Sequence, residues 1–110
     1  MALIFLDPGL LRRRVRLEAA VAVPDGSGGI RQSFGEVAEL SAHVEPVSAE
    51  VQERFAAREG RVTHRVICRF RPDVVRGMAF VFQGRRLAIR TVHDPDESER
   101  FLVCRCEEEA

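Results

Sequence analysis

Residues 12–23 (RRRVRLEAAVAV) alternate: Val15, Leu17, Ala19, Val21 and Val23 share one face, and Arg14, Arg16 and Glu18 the other. Successive side chains of a strand point to opposite faces, so this pattern predicts a half-buried β-strand. Pro24-Asp25-Gly26-Ser27-Gly28-Gly29 ends it with residues that fix φ or tolerate positive φ. A second extended stretch covers 30–44. Gly35 interrupts it, and beyond it Val37, Leu40, Ala42 and Val44 follow a changed register, as a β-bulge would require.

Residues 46–60 (PVSAEVQERFAAREG) break the alternation. Ser48 is a plausible N-cap, Glu50 and Glu53 lie near the positive end of a helix dipole, and Arg58 sits in the last turn before Gly60. Val51 and Phe55 are the only large apolar pair at i, i+4 spacing, a stripe too narrow for a core helix. The segment reads as a helical excursion of about three turns from a β framework, marginal by itself. A structureless loop is the alternative.

Alternation resumes in 61–71 (RVTHRVICRFR), with Val62, His64, Val66, Cys68 and Phe70 on one face and Arg61, Arg65, Arg69 and Arg71 on the other. His64 therefore belongs to the apolar face, as a satisfied core or barrel-end histidine. The arginine row is a solvated face; Arg65, Arg69 and Arg71 are also candidates for ion pairs with a neighbouring subunit. Pro72-Asp73 opens a loop through Gly77, and 80–92 reads as a hairpin turning at Gln83-Gly84. Asp94-Pro95-Asp96-Glu97 is a polar turn before a last strand at 100–106. The expected fold is all-β: a small six-stranded, mostly antiparallel barrel or sandwich with an insertion between strands two and three. Its expected core is Val15, Leu17, Val21, Val66, Phe70, Leu87, Ile89 and Phe101. The boundaries are an N-terminal arm (1–11), the barrel (12–107, insertion 46–60) and an acidic tail (108–110).

Composition narrows the functional classes. At 110 residues and 12.4 kDa, 45% hydrophobic and 31% charged, the chain is one globular domain that needs no disulfide or metal to stand. Seventeen basic and seventeen acidic residues cancel, so no global field draws it onto nucleic acid. Every basic residue is arginine, whose planar, weakly hydrated fork suits interfaces; codon bias in a GC-rich genome is the bland alternative. Tyr and Trp are absent, which disfavours a stacking surface for bases or sugars. The N-terminal apolar run, 2–6, is far too short to span a membrane and has no basic region before it, so no signal peptide is read. Its Leu3 and Phe5 are candidate subunit contacts.

Candidate chemistry is sparse. Cys68, Cys104 and Cys106 are odd in number and lack CxxC spacing, which predicts reduced, buried thiols rather than a disulfide framework or a zinc set with His64 and His93. The chain has no GxSxG, P-loop, HExxH or dinucleotide-binding glycine pattern. The expectation is a non-enzyme without cofactor or metal.

The order of motifs resembles the head–tail joining, or head-closure, proteins of tailed phages, prophages and gene transfer agents. The resemblance runs through Gly9-Leu10-Leu11-Arg12 to Glu18, Asp25 with Gly28-Gly29, Ala42-His43-Val44-Glu45-Pro46 and Thr63-His64-Arg65-Val66 with Phe70-Arg71. It continues at Asp73, Gly77-Met78, Gly84-Arg85, Ile89, Val92, Asp94-Pro95-Asp96-Glu97 and Cys106-Glu107-Glu108. Family tryptophans in the second strand are Phe34 and Leu40 here, and a hairpin tyrosine is Leu87, each an apolar exchange.

The resemblance implies a β-barrel subunit assembling as a homo-oligomeric ring, of six copies to match a six-fold tail or of twelve. The ring would sit between a portal-adaptor protein above and a tail terminator or tail tube protein below, in a virion assembled in the bacterial cytoplasm. It also implies that the insertion faces the channel and meets packaged double-stranded DNA without sequence preference, through Glu50, Glu53, Arg54, Phe55, Arg58 and Arg61. A stand-alone OB-like nucleic-acid-binding barrel is the alternative, against which zero net charge and the missing aromatics count.

Overall fold

The computed structural model describes residues 8–48 and 61–109. A 3₁₀ turn, η1 (Pro8–Leu10), leads into β1 (Arg13–Pro24), β2 (Ile30–Pro46), β3 (His64–Arg69), β4 (Ala79–Phe82), β5 (Arg85–His93) and β6 (Phe101–Glu109). The six strands close into one barrel in the order β1-β2-β3-β6-β5-β4, every neighbouring pair antiparallel. The two-residue turn between β4 and β5 puts Gln83 and Gly84 at φ 52° and 74°. That left-handed pair matches the twist of the strands it joins.

The period-two pattern fills the barrel. Val15 and Leu17, Ala42, Val66 and Cys68, Phe80 and Phe82, Leu87 and Ile89, and Leu102, Cys104 and Cys106 form one buried cluster. Phe70 packs against it partly buried. Of the expected core residues, Val21 lies outside the core and Phe101 is buried on the other face of the sheet. Val21 is 46% exposed, because β1 pairs with β4 only from Arg16 to Glu18 and its alternation then continues past the last strand able to cover it. Phe101 is buried, but it has the opposite parity to Leu102 and so lies on the outer face with Ile67 and Val103.

Two register shifts bend the sheet. The bulge foreseen near Gly35 sits two residues later: Leu17 pairs with Ala38 and Glu18 with Glu36, leaving Val37 as the extra residue while Gly35 stays opposite Ala19. A second shift falls between Ile89 and Thr91, which turns Arg90 toward Glu107 at 2.7 Å. The last strand runs on to Glu109, so Glu108 and Glu109 belong to the barrel wall rather than to a tail.

Where the inward alternation reaches the mouth of the barrel it turns polar. His64 continues the row of Val66 and Cys68, Arg85 that of Leu87 and Ile89, and Glu108 that of Cys104 and Cys106. Arg85 donates to both carboxylate oxygens of Glu108 (2.7 and 3.0 Å) and to His64 Nε2 at 3.1 Å. A guanidinium only donates, so Nε2 accepts and Nδ1–H donates to Thr63 Oγ1 at 2.9 Å. Thr63 Oγ1 also accepts from the Glu108 amide at 2.7 Å. This network roots the insertion. Pro46 pairs with His64, Val47 N–H donates to Thr63 O, and Thr63 N–H donates to Cys106 O, both at 2.8 Å.

Burial, and then the Arg85 charge, hold the His64 pKa below 6.5, with Glu108 opposing. The folded state thus prefers neutral His64 and the unfolded chain takes up the proton first. Stability from this site is full above pH 6.5 and is lost as pH falls from there through the folded pKa. Thermal melts between about pH 5 and 8 should show a drop on the acid side that His64→Gln flattens; equal pH dependence in both would refute the assignment. In the core, Phe80 is fully buried, and Phe80→Ala should lower the unfolding free energy in urea by about 3–5 kcal/mol.

Candidate assembly surface

The arginines largely meet acids of the same chain. On the row singled out from sequence, Arg65 pairs with Glu45 across β2–β3, and Arg71 grips Asp73 through two hydrogen bonds at 3.0 and 2.8 Å. That bond to Arg71 holds the Asp73 carboxyl below its usual range. Arg69 and Arg61 are exposed and form no ion pair among the described residues. Glu50, Glu53, Arg54, Phe55 and Arg58 lie outside the described residues, as do Leu3 and Phe5. Arg65 and Arg69 thus share the outer face of β3, while Arg71 lies beyond its end in the following loop.

Between β5 and β6, Arg85 pairs with Glu108 at the barrel mouth and Arg90 with Glu107 on the other face of the sheet, both at 2.7 Å. The β5–β6 loop is braced in the same manner. Asp96 accepts from Ser98 Oγ at 2.5 Å and from Arg100 at 2.6 Å, which pull its pKa down to about 2. Asp94 accepts from the Glu99 amide at 2.7 Å. Glu97 and Glu99 stand in the left-handed region, φ 56° and 60°, with their carboxylates exposed and free of ion pairs among the described residues.

Sequence reasoning missed one surface. Beyond Glu18 and Glu36 the strands β1 and β2 pair only with each other, from Ala19↔Gly35 to Pro24↔Ile30. This two-stranded ribbon projects from the barrel. It closes on Asp25, whose Oδ1 accepts from the amides of Ser27 and Gly29 at 2.8 and 3.0 Å. A Cβ on Gly29 would lie 2.5 Å from Asp25 Oδ2, so a side chain there would push the Asp25 carboxylate out of its place in the turn. Of the six exposed large hydrophobic residues among those described, Val21, Ile30, Phe34 and Val37 lie on the ribbon or at its bulge. At its base Arg86 donates to Glu18 at 2.8 Å and stacks over the Phe34 ring at 3.5 Å. The signal in the sequence was the uncharged stretch 19–24, which alternates like a core strand but outruns its partner.

The barrel interior holds no polar machinery. Cys68, Cys104 and Cys106 are buried free thiols. The hydrogen bond with Cys68 and burial keep the Cys104 thiol protonated, and burial pushes Cys106 up to about 12. Thiols so held are poor nucleophiles and poor ligands, since the thiolate does both jobs. No group of His, Cys, Asp and Glu side chains among the described residues is arranged to hold a metal ion, and no helix among them is long and apolar enough to cross a membrane.

Comparison with known proteins agrees with a structural part rather than a pocket. The solution structure of protein SF1141 from Shigella flexneri 2a superposes with a TM-score of 0.75 at 25% identity, over 96% of this chain and 98% of that one. A chain in the virion of a native gene transfer agent particle shares the fold, with a TM-score of 0.60 at 24% identity over 89% and 94% of the two chains. No curated protein matches. The sequence matches the family of phage head completion proteins over residues 6–109, a span that takes in the whole barrel, the ribbon and the insertion root. The chain belongs to the phage head completion protein family and is a structural protein of the phage head.

Proposed function

We propose that this protein closes the head: copies form a ring between the portal-adaptor ring and the tail, retain packaged DNA and offer the tail a docking face. The observation that carries this reading is the root of the insertion. Two strands enter and leave it side by side at Pro46 and His64, clamped to β6 by Thr63 and to β5 by Arg85. A gate needs a fixed hinge, and the root supplies one: Thr63, His64, Arg85 and Glu108 are linked in one hydrogen-bonded network. Ring subunits use head-to-tail contacts, which demand two unlike patches on one chain, and the ribbon and the loops supply such patches.

The insertion's composition suits contact with DNA that must also move. Arg54, Arg58 and Arg61 can meet phosphates, while Glu50, Glu53 and Glu59 balance them and limit adhesion. Val51 and Phe55 are its only large apolar pair at i, i+4 spacing. The barrel wall itself is a poor nucleic-acid surface. Arg65, Arg71, Arg85 and Arg90 are already committed to carboxylates, so the OB-like alternative gains no support.

Deleting residues 48–59 and bridging the gap with a short glycine linker tests the gate. The barrel should fold and join the particle, while tailless heads leak their DNA, measured as nuclease-sensitive DNA per head. Heads that keep their DNA with the ring in place would move the gate elsewhere.

A further inference from the structure

We propose that the tip of the β1–β2 ribbon docks on a second copy of this chain, against the end of the barrel formed by the 70–78 and 94–100 loops. This rests on the ring reading above and adds the contact by which one copy holds the next. Residues 19–24 carry no charge, and the ribbon is apolar on both faces: Val21 and Val23 on one, Pro24 and Ile30 on the other, with Ile30 75% exposed. Neither edge is paired among the described residues, since β4 ends opposite Glu18 and β3 joins β2 only from Ala42. A two-stranded ribbon is marginal in water, and open apolar edges are normally covered.

Charge selects the partner. Arg31, at the tip beside Ile30, forms no ion pair among the described residues. Glu97 and Glu99 are equally open, on a loop fixed by Asp94 and Asp96. The Phe70 N–H to Arg100 O bond, 3.0 Å, ties that loop to the one bearing half-exposed Val75. The tip offers Val21, Val23, Ile30 and the open base Arg31, and the seat offers Val75 and the open acids Glu97 and Glu99: the patches are unlike and complementary, as the head-to-tail contact of a ring requires.

The test is the association of the full chain, followed by sedimentation velocity over a concentration series. Wild type should assemble as concentration rises. Arg31→Glu, and separately Glu97→Arg with Glu99→Arg, should each weaken assembly about tenfold or more, and the combined reversal should restore it to within roughly threefold. Val21→Lys should also dissociate the assembly while leaving the melting temperature unchanged, as Val21 lies outside the core. If Arg31→Glu and Val21→Lys assemble like wild type, the ring stands and the ribbon contact is wrong. If the single reversals weaken assembly but their combination does not recover, the ribbon docks on another surface and the pairing proposed here fails. A wild-type chain that stays monomeric at every concentration would overturn the ring reading and this contact with it.

Discussion

The barrel is closed by a seam of three residue pairs: Arg16 with Val81, Leu17 with Phe80, and Glu18 with Ala79. β4 has only four residues, whereas β1 has twelve and β2 seventeen. Full closure removes sheet edges, and the unequal lengths put them back on one side. Leu17 and Phe80 meet at the centre of the seam with no exposed surface, so the closing contact is also among the best buried. Everything that projects follows from this mismatch. Past the seam β1 and β2 have only each other, and the bulge at Val37 falls where the two regimes meet. A bulge strengthens local twist, which lets the ribbon leave the cylinder without tearing the seam.

Arg86 joins the ribbon to the barrel in a way lysine could not. Its Nη1 reaches Glu18 on β1, its plane lies on Phe34 of β2, and Nε sits 3.9 Å from Glu109 of β6. Its Nε and Nη2 are buried without a hydrogen-bond partner among the described residues, a desolvation cost that a stacked, delocalised cation bears better than an ammonium. The arginine-only composition thus has a structural use here whatever its genetic origin. Elsewhere the same side chain forms exposed pairs such as Arg14–Glu39, which are worth little to stability. Their effect is to neutralise much of the wall, so that open charges such as Arg31, Arg69, Glu97 and Glu99 stand out among the described residues.

Period-two alternation located all six strands and put Val15, Leu17, Val66, Leu87 and Ile89 inside, because inward parity is a local property. The same parity placed His64 at the barrel mouth, where it is satisfied by Thr63 and Arg85. Val21 and Phe101 were misplaced for a shared reason. Parity says which face a residue occupies, but cover on that face depends on strand length and on packing outside the barrel. Val21 has inward parity and nothing inside to meet; Phe101 has outward parity and is buried all the same. Residues 108–110 read as an acidic tail because the partners of Glu108 and Glu109, Arg85 and Arg86, lie some twenty residues away on β5. Long-range pairing of charge leaves no local trace.

The ribbon and the root of the insertion are held in opposite ways. At the insertion root each backbone group around Thr63 finds a partner on β2 or β6, and side chains from β3, β5 and β6 converge. The ribbon has a single ladder and open edges, so its opening free energy lies well below that of the barrel. The root is held on several sides, whereas the ribbon, on the proposed contact, would be ordered by its partner. Ordering on contact costs entropy and lowers affinity per copy, yet it makes each contact reversible until neighbours on both sides are in place. In the proposed ring both neighbours are supplied at once. Assembly from subunits with marginal single contacts would then be cooperative, and the closed form would persist where isolated pairs would not.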